Sequence, residues 1–231
     1  MNFAIVKRVV LVGFSLLFIW KIAFFTNAEN AHVYSSSEKN SKKIAITFDD
    51  GPHPGQTDRI LNVLEKYGVK ATFFVVGINV ENYPKPLKNV ISKGHEVGNH
   101  TYFHTILKGL DKGRVEREID SVDEKILDLY GYKMKLLRPP CGSLDNTLIN
   151  VADEKNLKIV LWNIDTKDWA HTSTNDMVKN VLKNVKGGDI ILFHDYISGK
   201  SNTCNALEKL IPKLQAQGYE FVTVSELLQE E

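Results

Sequence analysis

The nine residues Ile44-Ala45-Ile46-Thr47-Phe48-Asp49-Asp50-Gly51-Pro52 contain the signals that decide the fold. The apolar run from Ile44 to Phe48 predicts a buried strand, and Gly51-Pro52 predicts a turn directly after it. Asp49 and Asp50 therefore lie where the strand ends, so both carboxylates can reach one cavity. Two carboxylates this close repel each other unless a cation or a proton lies between them. We expect one to hold a metal and the other to act as a base, with a plain Asp-Gly turn as the alternative.

A second motif, His100-Thr101-Tyr102-Phe103-His104, places two imidazoles four residues apart. On a helical turn this spacing puts both side chains on one face, about 5–6 Å apart, which suits a shared transition metal. Two surface or capping histidines are the alternative. With Asp50 the set becomes two histidines and one carboxylate. Three protein ligands with open positions are typical of a catalytic site rather than of a closed structural one.

Apolar, strand-like runs alternate with helical patterns along the chain. The strand-like runs are Ile44–Phe48, Ala71–Val76, Glu96–Asn99, Leu136–Arg138, Ile159–Trp162, Asp189–His194 and Tyr219–Val222. The helical patterns lie at about Thr57–Tyr67, Pro86–Ser92, Arg114–Tyr130, Asn146–Glu154, Asn175–Val185, Asn205–Gln217 and Ser225–Leu228. This alternation predicts βα units around a mainly parallel sheet. Polar residues follow several of the strands, where α/β barrels build their sites.

The composition is that of an ordinary globular protein, with 43% hydrophobic and 25% charged residues among 231. The formal net charge of +1 is too small to favour a nucleic-acid partner. At the N-terminus, Lys7 and Arg8 precede the apolar stretch from Val9 to Phe25, which indicates an export signal. That stretch is about 26 Å long as a helix, so residues 1–28 are expected to be a signal peptide or a membrane anchor. Residues 29–41 have the composition of a flexible polar linker.

Five stretches, taken in order, resemble the motifs of the polysaccharide deacetylases, the proteins with the NodB homology domain that form carbohydrate esterase family 4. They are Thr47–Pro52, His100–His104, Arg138–Gly142, Asp165–Trp169 and Leu192–His194. The resemblance runs from about Lys43 to about Leu228. It implies that residues 42–231 form the catalytic domain. The implied fold is a distorted (β/α) barrel with about seven parallel strands and an open substrate groove.

The resemblance also implies a metal site and a general base. Asp50, His100 and His104 would hold one divalent metal ion, with zinc as the expected ion and cobalt as the alternative. The metal would polarise the acetyl carbonyl and lower the pKa of a water. Asp49 would take the proton of the water. Arg138 would keep Asp49 ionised, because an adjacent cation favours the carboxylate form; a structural salt bridge is the plain alternative for this arginine.

A general acid and a pocket for the acetyl group are implied in the same way. His194 would protonate the leaving amine, and Asp168 would raise the pKa of His194 and fix its tautomer. Trp169 and Leu192 resemble residues that embrace the acetyl methyl group. The backbone N–H of Cys141 would meet the oxyanion together with the metal.

Cys141 is where the sequence departs from the family, which usually has an aromatic residue at this position. The departure changes the wall of the pocket and leaves a backbone N–H in place. Cys141 and Cys204 are expected to be two isolated thiols, with a disulfide between them as the alternative in an exported protein.

The function implied is metal-dependent hydrolysis of N-acetyl groups on an amino-sugar polymer, either the N-acetylglucosamine of peptidoglycan or chitin oligomers. An O-acetyl esterase acting on a xylan-type polymer and a catalytically silent wall-binding protein are the alternatives. The expected partner is an N-acetylated wall polysaccharide, and the protein is expected to be a monomer. It would be exported to the cell wall or beyond it, or be tethered to the membrane through its N-terminal segment.

Overall fold

The computed structural model describes residues 33–37 and 41–230. The predicted signal peptide or anchor, residues 1–28, lies outside the described residues. Among the helices of the described part, none combines the length and the hydropathy that crossing a membrane requires.

Nine strands in the described part form one curled sheet. They are β1 Val33–Tyr34, β2 Lys43–Asp49, β3 Thr72–Val75, β4 Glu96–Asn99, β5 Leu136–Leu137, β6 Lys158–Val160, β7 Ile164–Asp165, β8 Ile190–His194 and β9 Glu220–Phe221. Their order across the sheet is β1-β6-β5-β4-β3-β2-β8-β7, and β9 pairs with the start of β2. All pairings between these strands are parallel, which confirms the predicted distorted (β/α) barrel.

All seven predicted strands are present, and the structure adds two short ones, β1 and β7. Two residues are too few to show a periodic pattern, which is why the sequence did not reveal them. The added β7 matters for the site, because it pairs with β8 and places Asp165 opposite Leu192.

Part of the predicted linker belongs to the sheet, so the interpretation of residues 33–37 as a flexible tether was wrong. Val33 and Tyr34 pair with Ile159 and Val160 at the edge of the sheet. Farther along, the backbone N–H of Ser37 donates to the carbonyl of Gly188 at 2.8 Å. An open sheet edge offers unpaired backbone groups, and Val-Tyr is a favourable strand sequence for them.

Eight α-helices connect the strands in the described part. They are α1 Gln56–Tyr67, α2 Gly77–Asn82, α3 Pro84–Ser92, α4 Lys112–Tyr130, α5 Asn146–Glu154, α6 Thr174–Asn184, α7 Thr203–Ala216 and α8 Val224–Leu227. Seven of them were predicted, and α2 was not. The side chains of Asp111, Asp145 and Ser173 cap α4, α5 and α6 by accepting a backbone N–H three residues on.

The central strand β2 divides its side chains between two sides of the sheet. Ile44, Ile46 and Phe48 pack into the largest core cluster, which includes residues of the surrounding helices, whereas Ala45 packs into a second cluster. Side chains alternate along a strand, so Asp49 lies on the Ala45 side. The first residue of the site is therefore directed away from the helical layer.

Candidate active site

The parallel register of the sheet brings Asp49 and His194 together. Asp49 ends β2, His194 ends β8, and the two are direct partners in the ladder between these strands. The backbone N–H of Asp195 also donates to the carbonyl of Asp49 at 3.1 Å. Carboxyl ends of parallel strands meet at one edge, so residues 145 positions apart in sequence become neighbours there.

Arg138 contacts Asp49 from the interior of the protein. Its guanidinium is completely buried and donates from Nη1 to Asp49 Oδ1 at 2.7 Å and to Thr47 Oγ1 at 2.8 Å. The remaining donors Nε and Nη2 reach the carbonyls of Val160 at 3.1 Å and Leu161 at 2.9 Å. Burial lowers the pKa of Arg138, and the charge of Asp49 opposes that change. The result is a buried ion pair in which each guanidinium nitrogen makes a hydrogen bond. It fixes one carboxylate oxygen and leaves the other facing the cavity.

Asp50 reaches the cavity because the backbone turns at this residue. Its φ of 78° lies in the left-handed region, and Asn79 Nδ2 donates to its carbonyl at 2.7 Å. The next residue, Gly51, donates its N–H to Asp195 Oδ1 at 2.9 Å. A Cβ at Gly51 would lie 2.0 Å from Asp195 Oδ2, so only glycine permits this approach.

Asp195 secures the turn although it lies just outside the fifth motif and was not assigned to the site. It is 1% exposed, and Thr57 Oγ1 donates to its second oxygen at 2.6 Å. Burial raises the pKa of Asp195 to about 7, against the opposing effect of that hydrogen bond. Its partners are far away in sequence, so no local pattern could have revealed this role.

Asp50, His100 and His104 converge as predicted. Asp50 Oδ1 lies 3.4 Å from His100 Nε2 and 3.2 Å from His104 Nε2, and one ligand atom from each residue lies within 4.8 Å of the others. His100 Nδ1 lies 2.7 Å from the carbonyl of Arg138. A carbonyl can only accept, so Nδ1 carries a proton and Nε2 is the nitrogen available to a metal. Two imidazole nitrogens and one carboxylate oxygen fit a divalent transition metal.

The electrostatics of the three ligands are coupled. Burial raises the pKa of Asp50, but the hydrogen bond and the charge of His100 outweigh it and lower that pKa overall. Burial lowers the pKa of His104 and favours its neutral, ligating form. The His104 side chain is 42% exposed and that of His100 is 2% exposed, so the site opens toward solvent on the His104 side.

The predicted helical turn between His100 and His104 is wrong, because this segment is an irregular loop. Thr101 and His104 have φ values of 68° and 56°, and the Thr105 N–H donates to Thr101 Oγ1 at 3.0 Å. The two rings nevertheless lie 5.1 Å apart. A loop with two left-handed residues gives the side-chain convergence that we expected from a helix.

Glu118 of α4 supports this loop, and no local sequence pattern indicated this role. Its Oε2 accepts the backbone N–H groups of Tyr102 at 3.0 Å and Phe103 at 3.1 Å. Its Oε1 accepts the hydroxyl of Thr105 at 2.7 Å. One carboxylate therefore accepts hydrogen bonds from three donors in the segment 102–105, which contains His104.

His194 is held by Asp168 on the opposite side of the cavity. His194 Nδ1 lies 2.8 Å from Asp168 Oδ1, and the His194 N–H donates to Asp168 Oδ2 at 2.8 Å. Asp168 also accepts from Thr203 Oγ1 at 2.8 Å and is 1% exposed. Burial lowers the pKa of His194, but the bond and charge of Asp168, with Asp49 and Asp50, raise it to about 9. The imidazole is therefore held as a proton donor with Nε2 free.

These groups surround one cavity of about 340 Å³. It is lined by Asp49, Asp50, His100, His104, Cys141, Trp162, Asp165, Trp169, Leu192 and His194. The predicted catalytic residues Arg138 and Asp168 are buried behind Asp49 and His194. Leu192 is 2% exposed and Trp169 is 54% exposed. Trp162 and Asp165 were not assigned to the site, because the sequence pattern indicates only a strand or the loop after it at these positions.

Cys141 forms part of the cavity wall. It is exposed, and its φ of 58° lies in the left-handed region within the 3₁₀ turn Pro140–Gly142. Cys141 and Cys204 are both free thiols in the structure, as expected. Next to Cys141, Gly142 approaches Trp162 so closely that an added Cβ would lie 3.2 Å from its ring.

Known proteins are similar to this chain in sequence and in fold. A profile of the polysaccharide deacetylase family matches residues 36–160. A peptidoglycan-N-acetylglucosamine deacetylase of Bacillus cereus is 41% identical over 191 residues, covering 82% of this chain and 89% of that protein.

Two solved structures are similar as well. The crystal structure of a peptidoglycan N-acetylglucosamine deacetylase, in complex with 4-naphthalen-1-yl-N-oxidanyl-benzamide, gives a TM-score of 0.83 at 37% identity and covers 86% of this chain and 93% of that one. A family 4 acetyl xylan esterase from Clostridium thermocellum, in complex with a cobalt ion, gives 0.74 at 34% identity and covers 80% and 89%. The chain belongs to the polysaccharide deacetylase family, carbohydrate esterase family 4.

Proposed function

We propose that this chain is a metal-dependent hydrolase that removes the N-acetyl group from N-acetylglucosamine in peptidoglycan, with chitin oligomers as further substrates. One observation supports this function above all. The Asp50-His100-His104 cluster, the Asp49–Arg138 pair and the Asp168–His194 pair all meet at one cavity. Such a cavity offers a metal site, a base and an acid to a single substrate bond.

The metal would be held by Asp50, His100 and His104, with zinc as the proposed ion and cobalt as a substitute. When bound, it supplies Lewis acidity to a carbonyl oxygen and lowers the pKa of a water. The protein's part is to keep His100 in the tautomer whose Nε2 faces the cluster, through the 2.7 Å contact of Nδ1 with the Arg138 carbonyl. The same arginine thus orients a ligand through its carbonyl and the base through its side chain.

Asp49 is proposed as the general base. Arg138 occupies its Oδ1 at 2.7 Å, and Asp49 Oδ2 lies 3.7 Å from His100 Nε2, next to the metal cluster. Asp49 Oδ2 is therefore placed to take a proton from the water that attacks the acetyl carbon.

His194 is proposed as the general acid. An amine leaves poorly from a tetrahedral intermediate unless it is protonated. Asp168 holds Nδ1 at 2.8 Å, so the proton on Nε2 is the one available to the sugar nitrogen. Hydroxide from the water adds to the acetyl carbon while Asp49 keeps the proton of that water, and the C–N bond breaks as the sugar nitrogen takes a proton from His194. Acetic acid and a free amine result, and proton exchange with solvent then removes the proton from Asp49 and restores the one lost by His194.

The acetyl group itself would lie against Leu192 and Trp169, with the Cys141 backbone N–H directed at the developing oxyanion. Leu192 lines the cavity and is almost fully buried, so it would form the floor of the acetyl pocket. Trp169 is exposed enough to offer its ring to a sugar. These three assignments rest on position in the cavity and on the match to the family motifs.

The preference for peptidoglycan is supported by the Bacillus cereus relative, which is named for that substrate. The named activity of the acetyl xylan esterase favours O-deacetylation as the second candidate. A catalytically silent binding protein is the third, and the complete set of acid, base and metal ligands argues against it. Export to the wall, by residues 1–28 as signal or anchor, is part of the same proposal, because the substrate lies outside the cell.

Acetate release from peptidoglycan, chitin oligomers and acetylated xylan, measured side by side, tests the function. We expect release from the two N-acetylated polymers, its loss after chelation, and its return when zinc or cobalt is added. Release from xylan alone would indicate the esterase. No release from any of the three by metal-loaded protein would indicate the silent protein.

A further inference from the structure

Asn99 is a buried polar side chain that the proposed mechanism does not use. It is the last residue of β4, directly before His100, and it is 0% exposed. A carboxamide that is taken out of water without hydrogen-bond partners costs free energy. The hydrogen bonds of Asn99 therefore indicate why a polar residue occupies this position.

The carboxamide oxygen of Asn99 closes a turn around His100. Asn99 Oδ1 accepts the backbone N–H of Thr101 at 2.8 Å, and a side-chain bond to the residue two positions on defines an Asx turn. Thr101 has a φ of 68°, a left-handed conformation that is rare for a β-branched residue. The turn that carries His100 away from the strand is therefore held by the side chain that precedes it.

The carboxamide nitrogen of Asn99 attaches this turn to helix α4. Asn99 Nδ2 donates to the carbonyl of Ile119 at 2.9 Å and to Asp123 Oδ1 at 2.8 Å, so both N–H groups of the amide are used. The Ile119 carbonyl can only accept and the Thr101 N–H can only donate, so the carboxamide has one possible orientation. Ile119 and Asp123 are one helical turn apart, and the turn is therefore anchored to a single face of α4.

The backbone of Asn99 and the ring of His100 both contact Arg138. The Arg138 N–H donates to the carbonyl of Asn99 at 2.9 Å, and the Arg138 carbonyl lies 2.7 Å from His100 Nδ1. A displacement of the turn would therefore disturb the contact that holds the His100 ring. The position of this ring matters, because His100 Nε2 lies 3.4 Å from Asp50 Oδ1 and the ligands of a metal must be held in a fixed mutual geometry.

We propose that Asn99 is a positioning residue for the metal site and that Asp123 fixes it to α4. The inference rests on the proposed function, in which His100 is a metal ligand. Glu118, on the same helix, supports the His104 end of the loop. Helix α4 thus holds both ends of the loop that carries the two histidines, with Asn99 at the buried end.

The test measures the zinc affinity of the full-length chain by competition against a chromophoric chelator, without substrate. Asn99→Leu removes the acceptor and both donors, so we expect zinc affinity to fall about 10–100-fold, the range typical of residues that orient metal ligands. Asn99→Asp keeps the acceptor for the Thr101 N–H but places a carboxylate against Asp123 and the Ile119 carbonyl, so it should also weaken zinc binding. Asp123→Asn alone should have little effect, because its amide oxygen still accepts from Asn99. Combined with Asn99→Asp, it should restore part of the lost affinity, because its amide can donate to the new carboxylate.

Val122→Ala is the matched control, since Val122 is a fully buried residue of the same helix. It should lower the stability of the fold, measured by urea denaturation, and keep the wild-type zinc affinity. Wild-type zinc affinity in both Asn99 variants, or an equal loss in Val122→Ala, would overturn the role of Asn99. If Asn99→Leu does not fold, Asn99→Asp with and without Asp123→Asn decides, and no recovery in the double variant would overturn the anchor on α4. A wild-type protein that binds no zinc would overturn the metal site of the proposed function together with this inference, so the two failures are distinguishable.

Discussion

Asp49 and Asp50 are adjacent in sequence but belong to different parts of the site. Asp49 is still in the strand and is fixed by Arg138 at 2.7 Å, whereas Asp50 has left-handed backbone and points at the two histidines. Neutralising Asp49 should therefore affect proton transfer and leave the three metal ligands in place. In Asp49→Asn we expect the deacetylation rate to fall about 10²–10⁴-fold while zinc affinity stays close to that of the wild type. Rate and metal content are measured on the same preparation, and an unchanged rate would contradict the role of Asp49.

The Asp168–His194 pair predicts a shift of the pH profile. The pKa of His194 is raised to about 9, so its proton is present below that pH and is lost above it. In Asp168→Asn the raising interaction is removed and the lowering effect of burial remains, so the alkaline limb of the activity profile should move to lower pH. A bound divalent cation also lowers the pKa of His194, so the alkaline limb of the loaded wild type should lie below about 9. Asp176→Asn, at the exposed start of α6, is the control that should not move the limb.

The same pair has a consequence for stability. A histidine whose pKa rises on folding stabilises the folded state fully below its unfolded pKa of about 6.5 and loses that contribution as the pH rises through about 9. The difference in the free energy of unfolding between the wild type and Asp168→Asn should therefore be largest below about pH 6.5. Chemical denaturation of the metal-free proteins at several pH values measures it. A difference that does not change with pH would mean that Asp168 acts only by packing.

Cys141 is expected to act through its backbone and not through its thiol. It is a free, exposed thiol with left-handed backbone, so Cys141→Ser should have nearly wild-type activity. Cys141→Tyr should remain active and change the preference among oligomer substrates, because the tyrosine ring would narrow the cavity at this wall. The loss of an oxyanion donor would cost about 2.7–4 kcal/mol in the activation free energy, but the backbone N–H remains in Cys141→Ser. A collapse of activity in the serine variant would therefore show a direct role for the thiol.

At the scale of elements, the loop that carries His104 depends on helix α4. Glu118 accepts hydrogen bonds from Tyr102, Phe103 and Thr105. The loop contains two non-glycine residues with left-handed backbone, a conformation that costs energy and persists only when its surroundings enforce it. Glu118 is therefore a positioning residue for the exposed half of the metal site.

Glu118→Ala should weaken zinc binding about 10–100-fold, the range typical of residues that orient metal ligands. Glu118→Gln should recover part of this loss, because its amide oxygen still accepts the two backbone N–H groups. Glu116→Gln is the matched control, since Glu116 is two positions away on α4 and faces Lys112 at 3.8 Å. Competition against a chromophoric chelator measures the affinity without reference to turnover. Unchanged zinc affinity in Glu118→Ala would show that the loop keeps its shape unaided.

At the scale of the whole molecule, the folded unit extends toward the N-terminus beyond the predicted linker boundary. Val33 and Tyr34 pair with β6, and Tyr34 accepts the N–H of Leu161 at 2.6 Å. That contact reaches the site, because the same peptide group carries the carbonyl of Val160, which accepts from Arg138 Nε at 3.1 Å. The edge strand thus supports the peptide that holds the arginine behind Asp49.

Two truncations separate this strand from the rest of the chain. Protein that starts at His32 should be more stable than protein that starts at Ser41, because the latter loses strand β1 and the Ser37 contact. Each net hydrogen bond contributes about 0.5–1.5 kcal/mol, so we expect a difference of about 1–3 kcal/mol in the free energy of unfolding. Urea denaturation measures the difference. Equal stability of the two fragments would show that residues 33–37 do not stabilise the folded unit and act as a linker.

The sequence by itself determined the alternation of strands and helices and the place of the five motifs at strand ends. Both follow from local patterns, namely apolar runs, helical periodicity and turn signals, and these patterns depend only on near neighbours. The carboxyl ends of parallel strands must share an edge, so the meeting of Asp49, Asp50, His100, His104 and His194 could be predicted before any coordinates.

The tertiary structure alone decided how these residues are held. The His100–His104 loop takes its shape from Glu118 on another element, the Asp50 turn is secured by Asp195 across 144 residues, and the predicted tether gains a partner strand only because the sheet has an open edge there. Each of these contacts joins residues that are distant in sequence and satisfies a buried or strained backbone group. No local pattern encodes such a contact, because its free energy exists only once both partners are already in place.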